Sequence, residues 1–188
     1  KGLIFDKTRY LLDPYARAVT GQSQWGVKSV MDQHYRARVV KDDFDWGNMS
    51  RPLIPMEDLV IYELHVRGFT IHESSAVAAP GTFEGLREKI PYLKELGVNA
   101  VELMPIFEFD EMQDARQVDG EQLYNYWGYN TVSFFAPNTS YASGTEYNRE
   151  GNELKRLIQD CNENGIEVYL DVVFNHTAEG NEDGPFFS

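Results

Sequence analysis

An acid, an amide and an imidazole, which are groups that can bind a ligand or move a proton, lie towards the carboxyl end of the run from Ile166 to Thr177. Asp171 comes first, and Asn175 and His176 follow it after three apolar residues. The residues before Asp171 are largely β-branched and apolar, which is typical of a buried strand. Parallel α/β sheets and barrels place ligand sites at the carboxyl ends of their strands, so we expect these three side chains to line such a site.

The residue types in this run permit several chemistries. A zinc site needs more His or Cys ligands than the neighbouring sequence offers. A Ser-His-Asp relay needs a serine on a tight strand-to-helix turn, and no such serine is present. A pair of catalytic carboxylates needs acids on facing strand ends, and the spacing of Asp171 and Glu63 does not mark them as acid and nucleophile. Two structural roles also stay open, with Asp171 anchoring a loop and His176 as a hydrogen-bonded rim residue.

A second group of ionisable side chains lies between residues 59 and 67, where the sequence is typical of a strand. Glu63, His65 and Arg67 alternate onto one face of that strand. Charged groups on a buried face must be paired or must face a cavity. Two interpretations therefore stay open: a salt-bridged network inside the sheet, or an active-site floor that includes His65 and Arg67.

Aromatic residues concentrate in the connection between residues 105 and 150, which is too long to serve only as a link. Trp127 and Tyr129 flank a glycine there. Flat rings beside a small residue suit a sugar, whose C–H face packs on an aromatic plane while its hydroxyls reach polar neighbours. The alternative is that the rings pack the loop on itself, which we favour for Phe134 and Phe135.

The hydrophobic pattern predicts the elements that position these side chains. Their order is strand, helix, strand, long loop, helix, strand, and right-handed crossovers make the three strands parallel neighbours. This order fits a doubly wound sheet or the first three βα units of a (β/α)8 TIM barrel. Neither helix begins with a Gly-rich phosphate loop, so we favour the incomplete barrel. The predicted strands are 59–67, 98–104 and 166–174; the first helix is kinked at Pro91 and capped by Gly97, and the second runs from Asn152 as N-cap to Gly165 as C-cap.

Residues 1–57 lack a sustained hydrophobic period, and we expect them to be a connector leaving an N-terminal module. Residues 58–188 then form the N-terminal part of the barrel. Seventeen basic against thirty acidic residues give a net charge of −13, which argues against nucleic acid and anionic membranes as partners. The single cysteine, Cys161, excludes an internal disulfide and lies on an apolar helical stripe, so we expect an inert buried thiol.

Several sequence blocks, in the same order, resemble the α-amylase superfamily, glycoside hydrolase family thirteen. The segment from Asp171 to His176 is similar to the first short conserved block of that family. Supporting blocks are Tyr62–Phe69, Val101–Pro105 and Trp127–Tyr129. The isoamylase and glycogen-debranching branch is further resembled by Glu108–Glu111, Phe134–Pro137 and Tyr141–Ser143, and Leu12–Ala16 is similar to the segment that leaves the β-sandwich module of that branch.

The resemblance implies a role for each matching residue. Tyr129, in the same block as Trp127, matches the tyrosine that stacks on glucose in the −1 subsite. His176 matches the histidine that hydrogen-bonds the 6-position oxygen of that sugar, and Asp171 matches the acid that holds the site together. Asn175 matches a calcium ligand of many amylases, a metal that we do not expect in debranching relatives, and no other cofactor is implied. The family's nucleophile, acid/base and stabilising acid lie on strands four, five and seven, so we expect no catalytic residue in this chain.

The implied function is that of part of a debranching hydrolase, which cleaves α-1,6 links in glycogen or starch with retention. Its partner would be an α-glucan such as glycogen, amylopectin or a limit dextrin, and its location the cytoplasm, or a plastid in a plant. We expect this chain alone to be inactive because the catalytic acids lie on later strands, and to need the remainder of its barrel because three strands leave open edges. The alternatives are a glucan branching enzyme, another amylase-type member, or a non-catalytic glucan-binding scaffold.

Overall fold

The computed structural model describes residues 11–20, 24–27 and 35–179. The structure contains a parallel sheet with helices packed on it and two small antiparallel pairs of strands. The strands are β1 (Ile61–Leu64), β2 (Ala100–Leu103), β3 (Phe107–Phe109), β4 (Arg116–Val118), β5 (Glu121–Leu123), β6 (Thr131–Pro137) and β7 (Glu167–Leu170). The helices are α1 (Val66–Thr70), α2 (Phe83–Arg87), α3 (Ile90–Glu95) and α4 (Arg149–Glu163).

The parallel sheet has the order β1-β2-β7, which is the order that the sequence predicts for its three strands. The register aligns Leu64 with Leu103 and Leu103 with Leu170. Because these are the last residues of their strands, the segments that follow all three strands leave the sheet at one edge. That edge is where parallel sheets carry their ligand sites.

The first strand is shorter than predicted, since β1 ends at Leu64 and α1 begins at Val66. His65 lies between them and caps the helix, with Nδ1 accepting the Gly68 N–H at 3.0 Å. The prediction that Glu63, His65 and Arg67 share one strand face is therefore wrong. A side-chain acceptor for an unpaired N–H stabilises a helix start here, and this competes with continuing the strand.

The predicted break at Pro91 is confirmed, because α2 and α3 are separate and Pro91 lies in the first turn of α3. A first-turn N–H has no partner within the helix, so proline costs nothing there. Gly97 follows α3 with φ +86°, and Gly165 follows α4 with φ +76°. Both adopt the left-handed conformation expected of the residue that closes a helix.

Helix α4 begins earlier than predicted. Asn152 lies inside it, and the N-cap position is held by Asn148. Arg149 pairs with Glu153 across the first turn, an i, i+4 contact that supports the extra residues. Cys161 is buried in this helix, and burial raises the pKa of its thiol to about 12. The prediction of a buried thiol is confirmed.

The connection between β2 and α4 contains four strands that the sequence pattern did not reveal. β3 pairs antiparallel with β6, and β4 with β5 in a hairpin. Asp119 and Gly120 turn this hairpin with φ values of +51° and +87°. Two positive φ values in succession are typical of the two-residue hairpin turn.

Two clusters of buried apolar side chains hold the described residues together. The larger joins the sheet to the helices, with Phe83, Leu86, Leu103, Phe109, Tyr141 and Leu157 among its members. The smaller packs Leu12, Ala16 and Val19 on Val132 and Ala136 of β6. Residues 11–20 thus lie on the strand pair, whereas Arg38, Asp42 and Trp46 contact α4. The other parts of residues 1–57 include segments outside the described residues. Each helix of the described ranges is too short or too polar to span a bilayer.

Candidate active site

The candidate site centres on Tyr129, whose hydroxyl donates a hydrogen bond to Asp171 Oδ2 at 2.6 Å. Asp171 directly follows β7, and its backbone N–H donates to the Leu103 carbonyl at 2.9 Å. Asp171 therefore lies at the carboxyl end of the parallel sheet. The hydrogen bond to Asp171 raises the pKa of Tyr129 to about 12. An ionised phenol beside a carboxylate would be unfavourable. Tyr129 therefore remains a donor at neutral pH.

His176 joins the same cluster through the backbone of Tyr129. Its Nε2 lies 2.9 Å from the Tyr129 carbonyl oxygen, and its Nδ1 lies 2.8 Å from Asn175 Oδ1. A carbonyl can only accept, so Nε2 donates in the first contact. The His176 side chain is exposed, which leaves part of its ring available to a ligand. The structure thus brings together four of the residues singled out in the sequence: Tyr129, Asp171, Asn175 and His176.

Trp127 lies on the other side of Gly128 in the chain and makes different contacts. Its ring is 5.1 Å from that of Tyr126 and 6.5 Å from that of His65, edge to face in both cases. More than half of Trp127 is exposed, at 55%. Trp127 therefore packs on the rings of Tyr126 and His65, and part of its own ring surface stays exposed two residues away from Tyr129.

Gly128 lies where the backbone between Trp127 and Tyr129 passes close to the core. Its φ is +81°, and a Cβ built there would lie 2.5 Å from Cε1 of Phe109. Phe109 is fully buried and cannot move aside without opening the core. The backbone at Gly128 is thus pressed against the core, and the loop has a defined position relative to the sheet.

Replacing Gly128 with alanine is expected to lower the free energy of unfolding of the intact protein by about 2 kcal/mol more than Gly120→Ala does. Gly120 has a similar φ of +87°, but a methyl group added there would meet nothing within 4 Å, so it shares the backbone strain without the clash. Urea denaturation of both variants measures the difference. Equal losses in the two variants would show that the contact with Phe109 carries no weight.

His65 and Arg67 pack against aromatic residues: His65 against Tyr126, in the connection between β2 and α4, and Arg67 against Trp25. The His65 ring stacks on Tyr126 at 4.1 Å, and Nε2 lies 2.7 Å from the Tyr126 carbonyl oxygen. Burial lowers the pKa of His65, so the ring is held neutral at pH 7. The Arg67 guanidinium lies 4.8 Å from the centroid of Trp25. The salt-bridged strand face does not describe these contacts, and the interpretation that His65 and Arg67 lie near the floor of an active site stays a prediction.

Two buried carboxyl groups, those of Glu108 and Glu111, stabilise the connection between β2 and α4. Glu108 accepts from the backbone N–H of Thr139 at 2.7 Å, and burial raises its pKa well above the usual range. Glu111 accepts from the backbone N–H of Gly26 at 3.1 Å, and burial raises its pKa to about 7. Glu111 thereby ties the segment that carries Trp25 to the loop after β2. Sequence reasoning missed Trp25, which lies in a stretch with no hydrophobic period.

Phe134 and Phe135 contact rings outside the connection between residues 105 and 150, and Phe135 is 55% exposed, so the favoured interpretation that they pack the loop on itself is wrong. Phe134 lies 5.7 Å from Phe174, and Phe135 stacks on Tyr15 at 5.7 Å. Asn175, which by resemblance matches a calcium ligand of many amylases, makes a side-chain contact with its neighbour in the chain. Its Oδ1 contacts His176, and the described ranges contain no group of three or more His, Cys, Asp or Glu side chains able to hold a metal ion.

The family model described as the α-amylase catalytic domain matches residues 20–183. The chain belongs to the α-amylase family. Among curated members, isoamylase 1 of Arabidopsis thaliana (chloroplastic) is 44% identical over the whole chain, which covers 25% of that protein. The glycogen operon protein GlgX homolog of Mycobacterium tuberculosis (strain H37Rv) is 40% identical over 96% of the chain and 28% of that protein.

Solved members of the α-amylase family have the same fold over most of the chain. The pullulanase of Anoxybacillus sp. LM18-11 in complex with maltotetraose superposes with a TM-score of 0.68 at 34% identity, over 89% of this chain and 24% of that one. The pullulanase SAP of Group B Streptococcus gives 0.70 at 31% identity, over 90% and 24%. The chain spans about a quarter of the length of the curated relatives it matches. The resemblance to the isoamylase branch is confirmed.

Proposed function

We propose that this chain is part of an α-glucan debranching hydrolase and supplies the first three βα units of its (β/α)8 barrel. The observation that carries the proposal is the cluster of Tyr129, Asp171 and His176 at the carboxyl edge of the parallel sheet. The relatives named isoamylase and pullulanase support an α-glucan as the substrate, and one of the pullulanases was solved with maltotetraose.

In this proposal, the three side chains hold one glucosyl ring. The plane of Tyr129 offers its face to the C–H groups of the sugar, and His176 Nδ1 would exchange its contact with the exposed Asn175 for a hydrogen bond with a sugar hydroxyl. Asp171 fixes the tilt of the tyrosine through the 2.6 Å bond. A ring held at a fixed position beside the cleavage point contributes through orientation rather than through bond-breaking.

The groups that break the bond would come from polypeptide beyond these three units. A retaining glycosidase needs a carboxylate nucleophile and a second carboxyl group as acid and base, about 5 Å apart. By family resemblance, those acids belong to later strands of the barrel. We therefore propose that residues 1–57 connect to an N-terminal module, that the rest of the barrel completes the site, and that this chain by itself hydrolyses no glucan. If the protein comes from a plant, we propose that it is located in a plastid. The Arabidopsis relative is named chloroplastic.

The intact protein is expected to release reducing ends from amylopectin and none from linear amylose, because only the former carries α-1,6 branches. Proton NMR of the first product should show the α anomer, the signature of retention. The 188-residue chain assayed alone serves as the control and should show no turnover. New branches on amylose would indicate a branching enzyme instead, and glucan binding without turnover in the intact protein would indicate a scaffold.

A further inference from the structure

The side chain of His65 connects two separate parts of the chain through the two nitrogens of its ring. Nδ1 accepts from the Gly68 backbone N–H at 3.0 Å and caps α1. Nε2 lies 2.7 Å from the Tyr126 carbonyl oxygen, and because a carbonyl can only accept, Nε2 donates in this contact. One imidazole therefore joins the start of α1 to the connection between β2 and α4.

The surroundings of His65 keep its ring neutral. His65 is 7% exposed, and burial together with the charge of Arg67 lowers its pKa. Only the neutral ring can accept at one nitrogen and donate at the other, since a protonated imidazole donates at both. The Tyr141 hydroxyl lies 3.2 Å from Nε2 and adds a second contact at the donating nitrogen. Both nitrogens of the buried ring thus have partners.

Tyr126 is held at its side chain as well as at its backbone. Its ring stacks on the His65 ring with 4.1 Å between the centroids and 9° between the planes. A Cβ at Gly68 would meet the Tyr126 hydroxyl oxygen, so the missing side chain there leaves the space that the phenol occupies. Trp25 meets the rings of Tyr126 and His65 edge to face, at 6.2 and 6.3 Å. His65 and Gly68 therefore form the surface on which Tyr126 packs.

The position of Tyr126 bears on Tyr129, which follows three residues later in the chain. Between them the backbone passes Gly128, where an added Cβ would lie 2.5 Å from Cε1 of the buried Phe109. At the far end, the Tyr129 hydroxyl donates to Asp171 at 2.6 Å. Because this short segment is in close contact along its length, a displacement of Tyr126 is transmitted to the Tyr129 ring.

We propose that His65 is a positioning residue for α-1,6 hydrolysis, which holds the Tyr126–Tyr129 segment so that the Tyr129 ring meets the glucosyl unit. The inference rests on the proposed function, since it assigns a residue that orients a ring of the proposed site. His65 acts through the carbonyl and the ring of Tyr126 and has no contact with the substrate in this role. A displacement of about 1 Å can lower a rate about a hundredfold, so a residue that acts through another still affects turnover.

His65→Gln and His65→Asn divide the two hydrogen bonds of His65 between two variants of the intact protein. The amide nitrogen of glutamine takes the place of Nε2 and can donate to the Tyr126 carbonyl, whereas the amide oxygen of asparagine takes the place of Nδ1 and can accept from Gly68. Steady-state rates on a branched dextrin are measured at a temperature where near-UV circular dichroism shows both variants folded. We expect kcat to fall about thirtyfold in His65→Asn and no more than about fivefold in His65→Gln.

The opposite order of activities, or equal activities, would overturn the proposal, because His65 would then serve only the cap of α1 or only the packing. Gly68→Ala tests the same role with His65 in place. It keeps the N–H that His65 accepts, alanine favours a helix more than glycine does, and the added methyl group displaces Tyr126. We expect kcat to fall about tenfold, and an unchanged kcat in Gly68→Ala would also overturn the proposal.

His72→Gln is the matched control, because His72 also caps a short helix through Nδ1, which accepts from the Ser74 N–H at 3.2 Å. Its ring is exposed, and it should keep kcat within a factor of about two. A loss as large as that of His65→Asn would contradict a specific role for His65. Failure of the proposed function is separately visible, because the unaltered protein would then lack α-1,6 hydrolysis, whereas failure of this inference leaves that activity intact and changes only the order of the variants.

Discussion

Asp171→Ala in the intact protein is expected to lower kcat/KM for α-1,6 hydrolysis by a factor on the order of a hundred to a thousand. The carboxylate accepts the 2.6 Å hydrogen bond that orients Tyr129, and it stands at the edge of the sheet where the sugar is proposed to lie. Without it, the ring is free to rotate away from the position proposed to hold the glucosyl unit. Steady-state rates on a branched dextrin measure the loss.

Two variants separate positioning from other roles of Asp171. Asp171→Asn keeps an oxygen that can accept from the Tyr129 hydroxyl, so it should recover about a tenth or more of the activity. Tyr129→Phe keeps the ring and removes the bond, and its KM should rise while Asp171 stays in place. If Asp171→Asn is as inactive as Asp171→Ala while Tyr129→Phe is unimpaired, the hydrogen bond does not explain the role of Asp171.

Raising the pH from 5 to 8 is expected to reduce the free energy of unfolding through Glu111 by up to about 3 kcal/mol. The pKa of Glu111 is about 7 in the folded protein, above its ordinary value of 4.5. The folded state therefore binds the proton more tightly than the unfolded state does. This contribution to stability is complete below pH 4.5 and is lost as the pH rises through 7.

Glu111→Gln should remove this part of the pH dependence. Its amide oxygen can still accept from the Gly26 N–H, and it carries no charge to desolvate. Urea denaturation of the intact protein at pH 5 and pH 8 should show the variant gaining stability relative to the unaltered protein at the higher pH. Glu121→Gln, at an exposed glutamate of β5, is the control, and parallel stability curves for all three proteins would contradict the assignment.

The elements with strong local signals could be predicted from the sequence. Pro91, Gly97 and Gly165 mark helix boundaries by their own stereochemistry, and the three parallel strands follow from the order of the hydrophobic segments. His65 shows where this reasoning fails. The alternation of side chains predicts a strand through residue 67. In the structure, the N–H of Gly68 donates to the His65 side chain, and the strand ends at Leu64.

One missed element had a visible signal. Asp119 and Gly120 form the dipeptide that most favours a two-residue hairpin, and the hairpin between β4 and β5 turns there. The candidate site, unlike this hairpin, has no local sequence signal. Tyr129 and Asp171 are 42 positions apart, and nothing local in either segment indicates that they touch. Their meeting could be expected only from resemblance to a family, and Trp25 had neither a local nor a family signal.

Tyr129 is held at two atoms by the segment after β7, through its hydroxyl to Asp171 and through its carbonyl oxygen to His176. Phenol ring and imidazole therefore move together, and a shift of either is transmitted to the other. In the proposed site, the face offered to the sugar ring therefore cannot be adjusted without also shifting the imidazole offered to its hydroxyl. Changes in substrate preference at this corner should arise as coupled substitutions, one on each segment.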